Sequence, residues 1–371
     1  MSTASGDDRR AAAGTASNQA EVIVERVGGL GRITLNRPKA INALTHTMVQ
    51  ALTSTLLEWA ADDWVHAVLV IGAGERGLCA GGDIVSIYHD AREGGSGSKD
   101  FWRDEYVLNA AIARSGKPYV AIMDGIVMGG GVGISAHGNV RVVTERSTIA
   151  MPEVGIGFVP DVGGTYLLSR APGELGTHIA LTTSRLGAGD AIYCGFADHF
   201  VPSGRLAEFE RVLSTGSVED ALALFAEPPP ASELAEQRGW IDAAYAADTV
   251  EEIVANLRAS GVPEATAAAE QILAKSPTAV KVTLRALRQA REFGSLEEAL
   301  DQEYRVSSAC LDSHDLVEGI RAQVVEKDRK PAWSPSTLEA VTDEHVDRFF
   351  EPLGESELGL AAALANGEEK Q

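Results

Sequence analysis

Two short apolar runs in this chain each lead into a glycine-rich turn, and this repeat most constrains the fold. The run Ala67–Gly72 precedes the segment Gly77–Asp83, and the run Tyr119–Asp124 precedes the segment Gly129–Gly133. Apolar runs of this length are typical of strands that a parallel sheet buries on both faces, and parallel strands need crossover connections, usually helices. The repeat therefore predicts an α/β fold in which each glycine turn follows a buried strand.

The segment before these strands predicts a unit of two strands and a helix. Two β-rich runs within residues 21–36 surround the glycine pair Gly28 and Gly29, which predicts a hairpin. Apolar residues then recur at helical spacing over residues 43–60, and Asn42 is placed to cap that helix. The front of the chain therefore begins with a ββα unit.

The chain as a whole divides into three parts with different patterns. Residues 1–20 are mostly Ala, Ser, Thr, Gly and charged residues without periodicity, which predicts a disordered tail. Residues 21–205 alternate strand and helix patterns and are expected to form the α/β core. Over residues 206–371 the strand signal fades and helical patterns dominate, so a mainly helical C-terminal region is predicted.

The charge balance and the cysteine count exclude several classes of protein. The chain has 53 Asp and Glu against 32 Lys and Arg, a net charge of −21, which disfavours a nucleic-acid partner. Its apolar runs fall short of the roughly 18 residues that a membrane span needs, and its N-terminal residues contain no hydrophobic signal core. A cytoplasmic protein without a membrane partner is therefore expected. Three widely separated cysteines disfavour a disulfide scaffold and a zinc site: Cys79, Cys194 and Cys310.

The two glycine turns have a functional interpretation and a simpler one. Glycine lets a backbone approach a ligand closely and point bare N–H groups at it. Two N–H groups that converge on one oxygen would form an oxyanion hole, which stabilises the negative charge that develops on a thioester carbonyl. The simpler interpretation is that the glycines only meet the conformational needs of the turns.

Two acidic residues stand out because they lie in an apolar loop. The segment Ala150–Gly164 contains Glu153 and Asp161 among glycines, prolines and aliphatic residues. Apolar surroundings raise the pKa of a carboxyl group and prepare it for work as a base, an acid or a nucleophile. The alternative is that Asp161 caps a helix that begins near Gly163, and that Glu153 is solvated or paired with a cation.

Other patterns have simple interpretations. The spacing of Gly131–Ala136 matches a dinucleotide-binding fingerprint, but the interval before the next β-rich run is too short for the required crossover helix. The basic run Leu284–Arg291 is interpreted as a solvated helix face or a set of internal ion pairs, with contact to an anionic ligand as the alternative. None of the eight histidines lies in a nucleophile–base pattern, and His137 is interpreted as a turn or core residue.

Together these segments resemble the crotonase, or enoyl-CoA hydratase/isomerase, superfamily. The resemblance rests on Asn36–Leu44, Leu78–Ile84 and Asp124–Gly133 in that order, and it spans about residues 21–335. Within the superfamily the chain is most similar to the branch that hydrolyses 3-hydroxyisobutyryl-CoA in valine catabolism. That similarity is carried by Ala150–Gly164, Trp102–Tyr106, Ser276–Thr278, Glu303–Arg305, Glu318–Ala322 and Lys327–Trp333. It implies a spiral of ββα units with a helical C-terminal region.

The resemblance also implies a role for individual residues. The backbone N–H groups of Gly82 and Gly130 would hold the thioester carbonyl oxygen of an acyl-CoA. Glu153 aligns with the family's catalytic glutamate, and Asp161 aligns with an aspartate typical of the hydrolase branch. Glu105 aligns with an acid near the hydroxyl-bearing end of the substrate. The remaining substrate contacts implied by the resemblance, mainly to CoA, are Lys39, Ala40, Ile41 and Asp83.

One departure from the hydratase pattern bears on the reaction. Hydratases of this superfamily use two glutamates, and the first follows the glycine run at the position where this chain has Gly133. The resemblance therefore implies thioester hydrolysis with no metal or other cofactor, since CoA is part of the substrate. The alternatives are an enoyl-CoA hydratase or isomerase with Glu153 as its sole base, and a non-catalytic protein that binds acyl-CoA. Members of the superfamily often form trimers or hexamers, so a homo-oligomer is a further expectation.

Overall fold

The computed structural model describes residues 20–368, so the tail predicted over residues 1–20 lies outside the described residues apart from Ala20. The strands are β1 (Val22–Val27), β2 (Leu30–Leu35), β3 (Ala67–Gly72), β4 (Gly77–Cys79), β5 (Tyr119–Met123), β6 (Ile126–Met128), β7 (Val140–Val143), β8 (Thr148–Ala150) and β9 (His199–Phe200).

The helices are α1 (His46–Ala60), α2 (Ile84–Glu93), α3 (Gly97–Ala113), α4 (Gly130–Gly133), α5 (Gly164–Ser169), α6 (Leu175–Thr182), α7 (Ala188–Tyr193), α8 (Leu206–Leu213), α9 (Val218–Phe225), α10 (Glu233–Tyr245), α11 (Val250–Ala259), α12 (Pro263–Leu273), α13 (Pro277–Ala290), α14 (Leu296–Leu311), α15 (His314–Ile320), α16 (Asp343–Asp347) and α17 (Leu360–Glu368). This confirms an α/β fold with a helical C-terminal region. None of these helices has the length and apolar character needed to cross a membrane.

The first unit is the predicted ββα unit, with one correction at the start of the helix. Strands β1 and β2 pair in antiparallel register through a turn at Gly28, where φ is +63°. The cap of α1 is Thr45, whose hydroxyl accepts a hydrogen bond from the Met48 N–H group, and the prediction of Asn42 as the cap is wrong. Asn42 instead adopts a left-handed conformation, and its buried side-chain amide donates to three backbone carbonyl groups. It therefore ties the turn before α1 to the start of β4.

The strands form two sheets. One has six strands in the order β1-β2-β3-β5-β7-β9, in which every pairing after the hairpin is parallel. Both faces of its central strands are buried, because α8 and α9 pack on one face and the main core lies on the other. The apolar runs of β3 and β5 are therefore continuous, as a parallel sheet covered on both sides requires.

The second sheet positions the segments that carry the candidate functional residues. It has three parallel strands in the order β4-β6-β8, which the sequence patterns did not predict because each strand has only three residues. The glycine turns follow β4 and β6, and the segment with Glu153 follows β8. Since the carboxyl ends of parallel strands meet at one edge of a sheet, these three segments lie side by side.

The helical C-terminal region is joined to the α/β part by buried packing and ion pairs. Helix α14 packs on α3, and α15 packs against the turn that starts at Glu153. On α13, Arg288 donates two hydrogen bonds to the Glu174 carboxylate, and Arg291 just beyond the helix pairs with the same group. Arg285 forms an ion pair with Asp347 within the helical C-terminal region itself. The interpretation of this basic run as a set of internal ion pairs is therefore confirmed.

Candidate active site

A cavity lies at the edge where the strands of the second sheet end. Its volume is about 230 Å³, and most of its lining is apolar. The polar groups that reach it come from the two glycine turns and from three carboxyl side chains. The lining residues that the sequence singled out are Gly82, Glu105, Gly130, Glu153 and Asp161. The fold thus brings together groups from four separate segments of the chain.

The two glycine turns lie side by side in the lining of this cavity. A Cβ atom built on Gly130 would lie 3.3 Å from the backbone nitrogen of Gly82, so the two turns are in contact. Within residues 20–368, neither the Gly82 nor the Gly130 N–H group donates to a backbone or side-chain acceptor. The same Cβ atom would lie 2.5 Å from Oε1 of Glu105, so a larger residue at Gly130 would displace the Glu105 carboxyl group. The two free donors therefore lie close together beside one cavity, which is where an oxyanion hole would need them.

Glu153 is a buried carboxyl group that pairs with no cation among residues 20–368. It opens the short 3₁₀ turn Glu153–Ile156, and only 5% of its surface is exposed. Its Oε2 atom has no hydrogen-bond partner among the described residues. Burial raises the pKa of Glu153 well above its ordinary value, and the nearby Asp161 carboxyl group raises it further. The alternative of a solvated or cation-paired glutamate is therefore wrong.

Asp161 faces the same cavity and is equally buried. Its Oδ2 atom accepts a 2.8 Å hydrogen bond from the Tyr106 hydroxyl group, which lies 2.9 Å from the Ser307 hydroxyl group. Burial raises the pKa of Asp161 to about 7, although the bond from Tyr106 acts in the opposite direction. Asp161 does not cap a helix with its side chain, because α5 begins with Gly163 as its cap residue. The helix-cap interpretation is therefore wrong.

Glu105 approaches the cavity from α3. It is 2% exposed, and its Oε1 atom has no hydrogen-bond partner in the described part of the chain. Burial raises the pKa of Glu105 well above its usual range, and Asp161 contributes to the same effect. Both Glu105 and Glu153 therefore present an unpaired oxygen beside the glycine turns, where a polar ligand atom would satisfy it.

The walls of the cavity are apolar and aromatic. The rings of Trp102 and Phe158 are stacked with their centroids 5.3 Å apart. The C-terminal region contributes side chains from α15 and from the π-helical turn Arg321–Val325 that follows it. The apolar wall residues are Ile84, Ile87, Phe101, Trp102, Ile156, Phe158, Leu316, Ile320 and Val324. Such walls exclude water and strengthen each electrostatic interaction inside.

Comparison with known proteins agrees with this architecture. The family model described as enoyl-CoA hydratase/isomerase matches residues 30–350. The chain belongs to the enoyl-CoA hydratase/isomerase family. It is 44% identical to the mitochondrial 3-hydroxyisobutyryl-CoA hydrolase of Danio rerio over 353 residues, which cover 92% of this chain and 92% of that relative.

Two solved structures have the same fold as this member of the enoyl-CoA hydratase/isomerase family. A carnitinyl-CoA dehydratase from Mycobacterium thermoresistibile is 58% identical, with a TM-score of 0.89, over 91% of this chain and 98% of that chain. An enoyl-CoA hydratase from Rhodobacter sphaeroides is 42% identical, with a TM-score of 0.87, over 91% of this chain and 99% of that chain. The predicted crotonase-like fold is thereby confirmed.

Gly133 is the position at which the resemblance places the first glutamate of the family's hydratases. A Cβ atom built on Gly133 would lie 2.7 Å from Cβ of Val162 and 2.8 Å from Nδ2 of Asn109. Real Cβ atoms do not approach neighbours so closely, so the space that a glutamate would need is already filled. Glycine is required here by packing, and a second glutamate has no room at this position.

The residues predicted to contact CoA do not line this cavity. Lys39 and Ala40 are exposed in a short 3₁₀ turn, and the carbonyl oxygen of Ile41 accepts a 2.9 Å hydrogen bond from the N–H group of Ala80. This turn therefore lies next to the first glycine turn, outside the cavity. Asp83 forms an ion pair with Arg37 at 3.1 Å and lines a neighbouring cavity. Their role in binding stays a prediction.

Two buried residues that contact the Asp161 loop were not identified as site residues from the sequence. Tyr106 holds the Asp161 carboxyl group, and Glu303 accepts hydrogen bonds from the N–H groups of Gly163 and Thr165. Both belong to motifs that carry the family resemblance, which was the available signal. Tyr106 lies 55 residues from Asp161 in sequence, and Glu303 lies 138 to 140 residues from its two partners, so local patterns did not show these contacts.

Proposed function

We propose that this protein hydrolyses the thioester bond of an acyl-CoA, with 3-hydroxyisobutyryl-CoA as its preferred substrate. The observation that carries the proposal is the unpaired, buried Glu153 carboxyl group in one cavity with the N–H groups of Gly82 and Gly130. A nucleophile or base beside two free donors is what attack on a thioester carbonyl requires. The name of the Danio rerio relative supports the same reaction.

In this proposal the two glycine N–H groups bind the carbonyl oxygen and stabilise the negative charge that develops on it. Glu153 either attacks the carbonyl carbon, which gives a transient anhydride that water then hydrolyses, or it activates a water molecule that attacks directly. The CoA thiolate leaves in either case. Because the pKa of a thiol is only about 8.5, departure of the thiolate needs no strong general acid. Asp161 orients Glu153 or the water molecule and relays a proton.

The acyl pocket supports a short substrate that carries a hydroxyl group. The cavity of about 230 Å³ has apolar walls and, on α3, the unpaired oxygen of Glu105. A hydroxyl group on the acyl chain would donate a hydrogen bond to this oxygen. A substrate without the hydroxyl group would leave a buried polar atom unsatisfied, which is the stronger form of discrimination that a binding site can achieve.

The second candidate function is hydration or dehydration of a CoA thioester. The names of both solved structures favour it, and one of these proteins is 58% identical to this chain. Against it stands Gly133, where Val162 and Asn109 fill the space of a second glutamate. Glu153 would then have to serve as the only base. A non-catalytic acyl-CoA-binding protein is the third candidate, and a buried, unpaired Glu153 has no function in it.

Several further properties belong to the same proposal. The reaction as written consumes only acyl-CoA and water, so activity should persist after prolonged treatment with a chelator. We place the CoA moiety along the turn of Lys39, Ala40 and Ile41, because this turn adjoins the first glycine turn. A cytoplasmic location and a homo-oligomer are also proposed. Since the Danio rerio relative is mitochondrial, cell fractionation is the direct test of location.

Two assays on one preparation test the proposed function. Release of free thiol from (S)-3-hydroxyisobutyryl-CoA is followed with a disulfide reagent, and loss of crotonyl-CoA is followed by its ultraviolet absorbance. Rapid thiol release without loss of crotonyl-CoA is expected. Loss of crotonyl-CoA without thiol release would support the hydratase, and binding of acyl-CoA without turnover in either assay would support the non-catalytic protein.

A further inference from the structure

The loop that carries Asp161 has an unusual backbone directly after that residue. Val162 has a φ of +54°, and Gly163 has a φ of +77°. A left-handed conformation is ordinary for glycine, but for a β-branched residue it is rare and costs free energy. The surrounding structure must therefore hold Val162 in place, and the contacts that do so also determine where Asp161 points.

Two side chains hold opposite sides of the peptide group between Val162 and Gly163. Nε2 of His137 lies 2.7 Å from the carbonyl oxygen of Val162, and Oε2 of Glu303 accepts a 2.6 Å hydrogen bond from the Gly163 N–H group. Desolvation lowers the pKa of His137 to about 4, so its ring is neutral near pH 7, and Nε2 is the donor because a carbonyl oxygen can only accept. The orientation of this peptide plane is thereby fixed from both sides.

Glu303 makes a second set of contacts on the same loop. Its Oε1 atom accepts hydrogen bonds from the N–H group of Thr165 at 2.9 Å and from the Thr165 hydroxyl group at 2.5 Å. Glu303 is 1% exposed, and burial raises its pKa to about 8, while the hydrogen bonds from Thr165 and Gly163 act in the opposite direction. The three hydrogen bonds offset part of the cost of burying this carboxyl group, and all three come from the Asp161 loop.

The helix that carries Glu303 also reaches the side chain of Asp161. Ser307 lies one turn further along α14, and its hydroxyl group contacts the Tyr106 hydroxyl group, which donates to Oδ2 of Asp161. Residues four apart on a helix lie on the same face. One face of α14 thus holds the backbone after Asp161 through Glu303 and the Asp161 carboxyl group through Ser307 and Tyr106.

We propose that Glu303 is a positioning residue for thioester hydrolysis, and that it and His137 act as a clamp on the Val162–Gly163 peptide that holds Asp161 in its reactive position. The proposal rests on the proposed function, because it assumes that Asp161 acts in hydrolysis. Neither clamp residue lines the cavity, so both act through Asp161. Loss of the clamp should therefore slow the chemical step and leave binding of acyl-CoA nearly unchanged.

The test uses Glu303→Gln in the full-length protein, with Glu297→Gln as a matched control. Gln keeps the size of the side chain but places an amide donor where the loop N–H groups need an acceptor. Glu297 lies on the same helix, is also buried and pairs with Arg114 instead of the Asp161 loop. Glu303→Gln should lower kcat about 10- to 100-fold, as expected for a misplaced catalytic group, and change KM less than about threefold. The control should keep both constants.

A second measurement tests the clamp without following the hydrolysis reaction. Amide hydrogen exchange of Gly163 and Thr165, measured by nuclear magnetic resonance, should be at least about tenfold faster in Glu303→Gln than in the parent protein. His137→Phe removes the donor to Val162 and serves if Glu303→Gln does not fold. Unchanged exchange at these amides would overturn the clamp. Faster exchange with kcat unchanged would overturn the positioning role. An inactive parent protein with faster exchange in the variant would instead refute the proposed function.

Discussion

Gly319 on α15 lies directly against Ile156, the last residue of the turn that begins with Glu153. A Cβ atom built on Gly319 would lie 2.3 Å from the carbonyl carbon and oxygen of Ile156. Helix α15 is held in this position by a buried hydrogen bond of 2.5 Å from the Ser276 hydroxyl group to Oδ2 of Asp315. The helical C-terminal region therefore supports the backbone of the candidate nucleophile and does not merely cover the cavity.

This contact predicts that Gly319→Ala impairs catalysis. The added methyl group forces α15 away from Ile156, which shifts the Glu153 turn and should lower kcat/KM at least about tenfold and the free energy of unfolding by about 1–3 kcal/mol. Gly239→Ala on α10 is the control, because a Cβ atom there meets nothing within 4 Å. Thiol-release kinetics and chemical denaturation measure the two effects. Equal kinetics for the two variants would contradict the predicted contact.

Glu153→Gln should change activity and stability in opposite directions. Hydrolysis should fall by at least about 100-fold, because Gln can neither attack the thioester nor accept a proton. Burial raises the pKa of Glu153 above its ordinary value of 4.5. As the pH rises through that ordinary value, the unfolded chain releases this proton and the folded chain retains it, so stability falls. Glu153→Gln has no carboxyl group to titrate at this position, so this fall in stability with rising pH is absent from the variant.

Denaturation of both proteins at pH 5 and pH 8 checks the stability half of this prediction. The free energy of unfolding of Glu153→Gln relative to the parent should increase between pH 5 and pH 8 by about 1 kcal/mol or more. A difference that does not depend on pH would mean that Glu153 ionises normally in the folded protein. Hydrolysis within tenfold of the parent rate would remove Glu153 from the mechanism.

Tyr106→Phe should shift the pH dependence of hydrolysis. If Asp161 acts as a carboxylate, activity rises with pH through about 7, where its pKa lies. The hydrogen bond from Tyr106 lowers that pKa, so its removal should move the rise to higher pH by about 0.5 to 1 pH unit. Tyr245→Phe is the control, because its hydroxyl group pairs with His178 instead of a carboxylate. Coincident pH–rate profiles for Tyr106→Phe and the parent would refute the role of Asp161 as a carboxylate.

Gly133→Glu should not create a hydratase. The new side chain would collide with Val162 and Asn109, so the expected result is a less stable protein, by about 1–3 kcal/mol, with no gain in hydration of crotonyl-CoA. Thermal unfolding and the absorbance assay measure the two effects. A stable variant that hydrates crotonyl-CoA would show that the pocket accepts a second glutamate after all.

Glu105→Leu should remove the preference for a hydroxylated acyl group. The comparison uses 3-hydroxyisobutyryl-CoA and isobutyryl-CoA, which differ only in the hydroxyl group. The ratio of their kcat/KM values should be at least about 10 for the parent and close to 1 for the variant, because the unpaired Oε1 atom is gone. A ratio that survives the substitution would place the hydroxyl group elsewhere in the cavity.

Sequence patterns predicted correctly those elements whose formation depends on residues close together in the chain. The hairpin of β1 and β2, the buried runs of β3 and β5, and the helical C-terminal region were all predicted, because strand and helix periods are properties of neighbouring residues. The predicted cap of α1 was wrong because Asn42 is used for longer-range bonds. The short strands β4, β6 and β8 were missed, since three residues are too few to show a period.

The sequence by itself determined the kind of chemistry: glycines for bare N–H groups, and Glu153 and Asp161 in an apolar loop. It left open whether those carboxyl groups were buried reactants, a helix cap or solvated residues. Only the tertiary structure decided this, because the pKa of a carboxyl group depends on burial and on neighbours such as Tyr106, which lies 55 residues away from Asp161 in sequence. The clamp by Glu303 and the contact of Gly319 likewise exist only once α14 and α15 have packed on the α/β part.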